Sequence, residues 1–172
     1  SGDYSYVNGE RTIASGRASY AVGYFVTASG DYSRAAGRET TASGIGSHAE
    51  GFKSLAEGSY SHAEGLAATS SGIQSHAEGQ NTTAHGGYSH AEGYFSKAQG
   101  THSHAEGRDT LSSNQYSHAE GYFATSSGRY SHAEGYLSVA EGTAAHAEGS
   151  ETHALGDYSH AEGLQTTASN NY

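Results

Sequence analysis

Residues 47–65 read Ser47-His48-Ala49-Glu50-Gly51-Phe52-Lys53-Ser54-Leu55-Ala56-Glu57-Gly58-Ser59-Tyr60-Ser61-His62-Ala63-Glu64-Gly65, so the pentapeptide S-H-A-E-G returns after 14 residues with a looser copy, S-L-A-E-G, midway. Stepping by seven from Gly2 to position 170 meets Gly at every slot except Asn114 and Asn170. Two residues before each slot stands Ala, with Ser70, Ser112, Ser126 and Val7 as exceptions. Four residues before it stands Ser or Thr, with Val26, Ala68, Ala124 and Ala145 as exceptions. The unit is x-x-[ST]-x-A-x-G. Its small residues fall on one side of a period-2 strand and its variable residues on the other. Because Asn also tolerates the left-handed region, the Gly-or-Asn slot predicts a positive-φ turn.

A seven-residue period also describes coiled coils, but those need large apolar residues at two positions per heptad. A Gly in every heptad would cost a helix about 1 kcal/mol each time. The strand reading stands, and the doubled period gives a coil of 14 residues with two strands and two turns. Stacked at the ~4.8 Å strand spacing, about 12 coils predict a rod about 60 Å long. Its interior of Ala, Gly, Ser and Thr predicts a flattened roll. Burying Ala stabilises far less than the roughly 1.5–3 kcal/mol of a Leu, so such a roll is expected to gain stability by associating with copies of itself.

Composition excludes several classes. Val, Ile, Leu and Phe number 17 of 172 residues and the formal net charge is -10, a balance that without the repeat would suit a disordered chain. With eight Lys and Arg against 18 acidic residues, the basic footprint of a nucleic-acid binder is missing, so no nucleic-acid partner is expected. There is no Cys to form a disulfide or a thiolate site, and no apolar run of membrane-spanning length, so no membrane contact is expected in this segment. Residues 1–172 read as a single β-roll repeat domain, a piece of a longer fibrous protein, whose end at Tyr172 lies two residues into a heptad.

These S-x-A-x-G units on a 14-residue coil resemble the head repeats of trimeric autotransporter adhesins of the YadA type, over essentially the whole chain. The resemblance implies an all-β, left-handed parallel β-roll (a solenoid) assembled as a homotrimer and exposed outside the cell, on a bacterial surface. Its implied partners are further copies of itself and a host surface protein or glycan. S-H-A-E-G arrays are also similar to those of phage tail fibres, so a structural shaft on a virion is the alternative.

The outward positions of the uniform strand carry His and Glu where the family carries apolar residues. They form the pairs His48/Glu50, His62/Glu64, His76/Glu78, His90/Glu92, His104/Glu106, His118/Glu120, His132/Glu134, His146/Glu148 and His160/Glu162. Under the resemblance they line a polar trimer interface, each His donating to a Glu of a neighbouring chain or coil. A His and a Glu two residues apart could also be an acid–base pair or metal ligands. Nine near-identical copies without a distinctive nucleophile argue against catalysis, and no enzyme activity and no cofactor are expected. A pH- or metal-responsive rod is a further alternative, since a threefold axis would gather imidazoles and carboxylates in layers.

Aromatic residues cluster where turns are expected. Tyr60, Tyr88, Tyr116, Tyr130 and Tyr158 precede the uniform strand, while Tyr94, Tyr122 and Tyr136 follow its Gly. They are expected to pack along the edge of the roll or to contact a ligand. The Thr residues at 27, 41, 69, 83, 125 and 167 form an interrupted column, which leaves ice binding a minor alternative.

Overall fold

A computed structural model describes residues 2–171; Ser1 and Tyr172, the ends of the predicted domain, lie outside the described residues. Among the described residues there are 24 strands and no helix. The strands alternate between five residues, such as His48–Phe52, and two residues, such as Leu55–Ala56. The chain divides into two compact units, one up to Tyr88 and one from Ser89, each holding six coils.

Within the first unit the long strands stack on one another from Tyr6–Glu10 to His76–Gln80, and the short strands stack from Ile13–Ala14 to Thr83–Ala84. Every pairing is parallel and shifted by one 14-residue coil, so like meets like: His48 pairs with His62, Ala49 with Ala63 and Glu50 with Glu64. The second unit repeats this from His90–Tyr94 to His160–Leu164 and from Lys97–Ala98 to Thr167–Ala168, with His104 on His118 and Glu106 on Glu120. The chain is an all-β parallel solenoid of about 12 coils of 14 residues, as the period predicts.

The interior is the Ala column and the Ser/Thr column. The Ala residues of this column from Ala21 to Ala154 are fully buried, and the largest fully buried side chain among the described residues is Val26. Several of the buried Ser hydroxyls cap the turns. Ser47 Oγ donates to the carbonyl of Gly44 at 2.8 Å and Ser131 Oγ to that of Gly128 at 2.6 Å, while the backbone N–H of each Ser closes the same turn. At these turns the Ser three residues past the slot therefore satisfies a carbonyl that a buried turn would otherwise leave dry.

The seven-residue Gly column turns out to answer two different demands. At the slot inside each long strand, one residue before its end, φ is positive, +105° at Gly51 and +115° at Gly121, as predicted. At the alternate slots, such as Gly58 and Gly128, φ is not positive, and there the expectation fails. What these slots require is closeness: a Cβ on Gly58 would lie 1.9 Å from the carbonyl oxygen of Gly72 in the next coil. The tight left-handed corner sits two residues past the slot, where φ is 52–60° at 23 non-Gly residues, among them Tyr60, Phe123 and Ala144. Each such residue costs about 1–2 kcal/mol of conformational energy. The corner holds because its N–H reaches a carbonyl 15 residues back, as from Tyr60 to Ile45 at 2.7 Å and from Phe123 to Arg108 at 2.9 Å.

Candidate functional site

Because Ala49 and its equivalents point inward, period-2 alternation sends His48 and Glu50 out of the same strand, and in-register stacking turns the pairs of each unit into a His column and a Glu column. The imidazoles stack face to face at 4.7–4.8 Å from His48 to His62 to His76, and at 4.7–4.8 Å along His90, His104, His118 and His132. His146 tips to 64° against His132, and His160 stacks on His146 at 4.8 Å.

The carboxylate beside each Nε2 belongs to the Glu two residues on in the same strand. The separation is 3.5 Å for His48–Glu50 and His146–Glu148, and 3.7 Å for His62–Glu64, His104–Glu106 and His160–Glu162. It is 3.8 Å for His76–Glu78, and 3.9 Å for His90–Glu92, His118–Glu120 and His132–Glu134. Within the chain the close carboxylate is thus in the same strand, whereas the expectation was a Glu of a neighbouring chain or coil. The register sets this: Glu92 lies on Glu106 and Glu134 on Glu148, so along its column each carboxylate adjoins a copy of itself, and adjacent-coil carboxylates act on an imidazole less strongly than the in-strand one, as Glu50 and Glu78 do on His62. At 3.5–3.9 Å the in-strand contacts are also longer than hydrogen bonds and act as electrostatic neighbours.

Stacking shuts Nε2 of His62, His104 and His118 off from solvent. Burial, followed by the neighbouring imidazoles, pushes these three His below the ordinary value of 6.5, against the pull of the Glu column. At these three positions the stack therefore favours the uncharged imidazole, beside half-exposed carboxylates. Among the described residues no three His, Asp or Glu side chains come together as a metal site within the chain.

The aromatic residues divide between two positions of the coil. Tyr60, Tyr88, Tyr116, Tyr130 and Tyr158 occupy left-handed corners and are 44–64% exposed. His102, Tyr116 and Tyr130 stack there at 5.0 and 5.2 Å. Tyr94, Tyr122 and Tyr136 end long strands, with Tyr122 on Tyr136 at 5.4 Å and edge-on against Phe123 at 4.7 Å. Edge packing and exposure thus coexist in the same residues.

Sequence reasoning missed an arrangement of arginines on this second edge. Arg108 lies between the rings of Tyr94 and Tyr122, 5.3 Å from each, and its Nε donates to Asp109 at 3.3 Å. Arg38 lies in the same way between Tyr24 and Phe52, at 5.8 and 5.1 Å, and bonds Glu39 at 3.2 Å. The signal is present in the sequence: G-Y-F at 23–25 and 93–95 is followed 14 residues later by G-R-[ED]-T at 37–40 and 107–110.

Residues 14–33 and 63–89 match the YadA head domain repeat, in two copies. Among curated proteins, no relative matches the chain. No helix among the described residues is long and apolar enough to cross a membrane.

Proposed function

We propose that this chain, which carries YadA-type head repeats, is a non-enzymatic, left-handed β-roll that assembles as a homotrimer and serves as an adhesive head at a bacterial surface. The observation that supports trimer assembly is the contrast between its faces. From His48 to Glu162 the long strands of both units present the same His and Glu, whereas the corners and short strands change from coil to coil. A face that must match its copies at every layer has reason to be uniform; a face that meets something else does not. Each coil buries mainly Ala and Ser, so association is also the route by which such a thin core gains stability.

In this reading the pairs His48/Glu50 to His160/Glu162 line the contact between chains. Glu92, Glu134 and Glu148, whose in-strand imidazoles stand at 3.5–3.9 Å and beyond hydrogen-bond range, find closer imidazole partners across the axis, as do the other six carboxylates. The aromatic corners, Tyr60, Tyr88, Tyr116, Tyr130 and Tyr158, and the strand ends Tyr94, Tyr122 and Tyr136 face outward toward a host surface. The experiment is the mass of the purified chain in solution, with binding to cultured cells measured alongside. A trimer that splits on substituting His104→Ala with Glu106→Ala, and that binds cells when intact, is the expected result. A folded monomer would overturn the assembly and the role of the His/Glu face. A trimer without cell binding would favour a fibre shaft, a reading that the monotony of the long strands also supports.

A further inference from the structure

Phe95, Asp109 and Phe123 are successive left-handed corners of the second unit, so the short Asp109 stands between two rings that are 40% and 42% exposed. On the adjoining short strands the outward residues are Lys97, Leu111 and Thr125. Together with Thr110, these six residues line a groove of about 290 Å³, at the small end of ligand sites and sized for one ring. Its rings are fixed: Phe95 packs edge-on against Tyr94 and Phe123 against Tyr122, both at 4.7 Å. The Asp109 carboxylate is fixed as well, by an Arg108 that is itself held between Tyr94 and Tyr122.

We propose that this groove binds a pyranose ring of a neutral glycan, an inference that rests on the adhesive reading above. A pyranose is amphiphilic in the same sense as the groove: its C–H face is apolar and suits Phe95, Phe123 and Leu111, and its hydroxyls suit Asp109, Lys97 and Thr125. A wholly apolar ring would instead leave the carboxylate and ammonium desolvated without partners. The net charge of -10 disfavours acidic sugars. The groove is shallow, so one site binds at about millimolar strength, and three copies on a trimer convert that into useful avidity.

The first unit supplies its own control. There the corresponding corners are Phe25, Glu39 and Lys53, and Lys53 Nζ lies 3.7 Å from the Glu39 carboxylate, so an ion pair stands where the second unit has Asp109 beside the Phe123 ring.

The test is saturation-transfer NMR on the purified protein with methyl galactoside, glucose and N-acetylglucosamine, each at about 20 mM to suit a millimolar site. Transfer to ring protons is expected from at least one sugar. Phe123→Lys, which copies the closed site, is expected to weaken it about tenfold or more by removing an aromatic wall and engaging Asp109. Asp109→Ala serves the same purpose should the first variant fail to fold, and Lys53→Phe is expected to add a second site. No transfer from any of the three sugars, or equal transfer in wild type and Phe123→Lys, overturns the proposal. So does tighter binding of N-acetylphenylalanine amide, which would mark a peptide groove. Cell binding that survives Phe123→Lys overturns the groove's role while leaving the adhesive reading intact.

Discussion

Substituting Gly58→Ala should unfold the chain's local stacking even though it adds a single methyl group. The added Cβ would lie 1.9 Å from the carbonyl oxygen of Gly72, and Cβ atoms do not approach closer than about 3.0 Å, so the neighbouring backbone must retreat by about 1 Å. The atoms in the way are main chain, which cannot swing aside as a side chain would. Two bonds sit on this segment: Gly58 N–H to the Ser70 carbonyl at 3.3 Å, and Ser61 N–H to the Gly58 carbonyl at 3.1 Å. Overpacking of this kind costs about 1–3 kcal/mol, and losing two backbone bonds about 1 kcal/mol each, so the expected destabilisation is about 3 kcal/mol or more per chain.

The chain itself contains the exception that sharpens the argument. Asn114 occupies the same column and carries a Cβ. Its backbone N–H donates to Ser117 Oγ at 3.2 Å, where the corresponding N–H of Gly128 donates to the Ala140 carbonyl of the next coil at 3.2 Å. Its side-chain amide compensates, donating to the Ser127 carbonyl at 3.1 Å and accepting from Gln115 N–H at 2.8 Å. Gly58→Asn should therefore cost less than Gly58→Ala, although Asn is the larger residue. Gly87→Ala is the counterpart with room to spare, its added Cβ meeting only the Ile73 carbonyl at 3.8 Å, and it should change stability by under about 1 kcal/mol. Denaturant midpoints of the three variants, at matched protein concentration, test the order. Gly58→Ala within about 0.5 kcal/mol of wild type, or Asn below Ala at this slot, would refute the close-approach account of the column.

Ala144→Gly relieves a left-handed residue with φ of 53° and should stabilise by about 0.5–1 kcal/mol, whereas Ala133→Gly in the fully buried column should destabilise by about 1 kcal/mol or more; thermal melts that move both variants in the same direction would contradict this. Stability should also fall in mild acid. His62, His104 and His118 bind protons less readily folded than unfolded, so below about pH 6.5 the unfolded chain takes up more protons and the folded state loses ground. Glu50, Glu64 and Glu78 around His62, and Glu92, Glu106 and Glu120 around His104, partly offset that loss. The melting temperature should hold from about pH 8 to 7 and drop below about 6.5, and a flat profile between about pH 4.5 and 8 would refute the account of these three buried imidazoles.

The period, the parallel stacking and the inward Ala and Ser columns were legible because each follows from one rule, that residues two apart share a face and residues one coil apart share a rung. The same rule, applied to the outward residues, already implies that Glu134 must lie on Glu148 and not on an imidazole. The Gly column was legible as a constraint and misleading as to its cause. At Gly51 the constraint is a dihedral angle and at Gly58 it is a distance to another coil, and a list of residue types records both as the same letter. The left-handed backbone of the corners escaped notice for the opposite reason. A left-handed Tyr60 or Phe123 violates the preference that makes Gly a turn signal, and only the inter-coil hydrogen bond from its N–H makes the violation tolerable.

The same distinction separates the two halves of the candidate site. The His and Glu columns could be read from Ser47-His48-Ala49-Glu50-Gly51 because neighbours on a column are copies, so one coil predicts the next. The groove at Asp109 could not, because it depends on unlike neighbours: Phe95 below, Phe123 above, and an Arg108 whose position is set by Tyr94 and Tyr122. Uniform columns specify how coils and copies stack, while departures from uniformity create shape. In a solenoid whose core is nearly invariant, such departures cost little stability, since corner and short-strand side chains pack outside the Ala and Ser interior. That freedom makes the variable edge, rather than the repeated motif, the part of the molecule on which a binding specificity can be built.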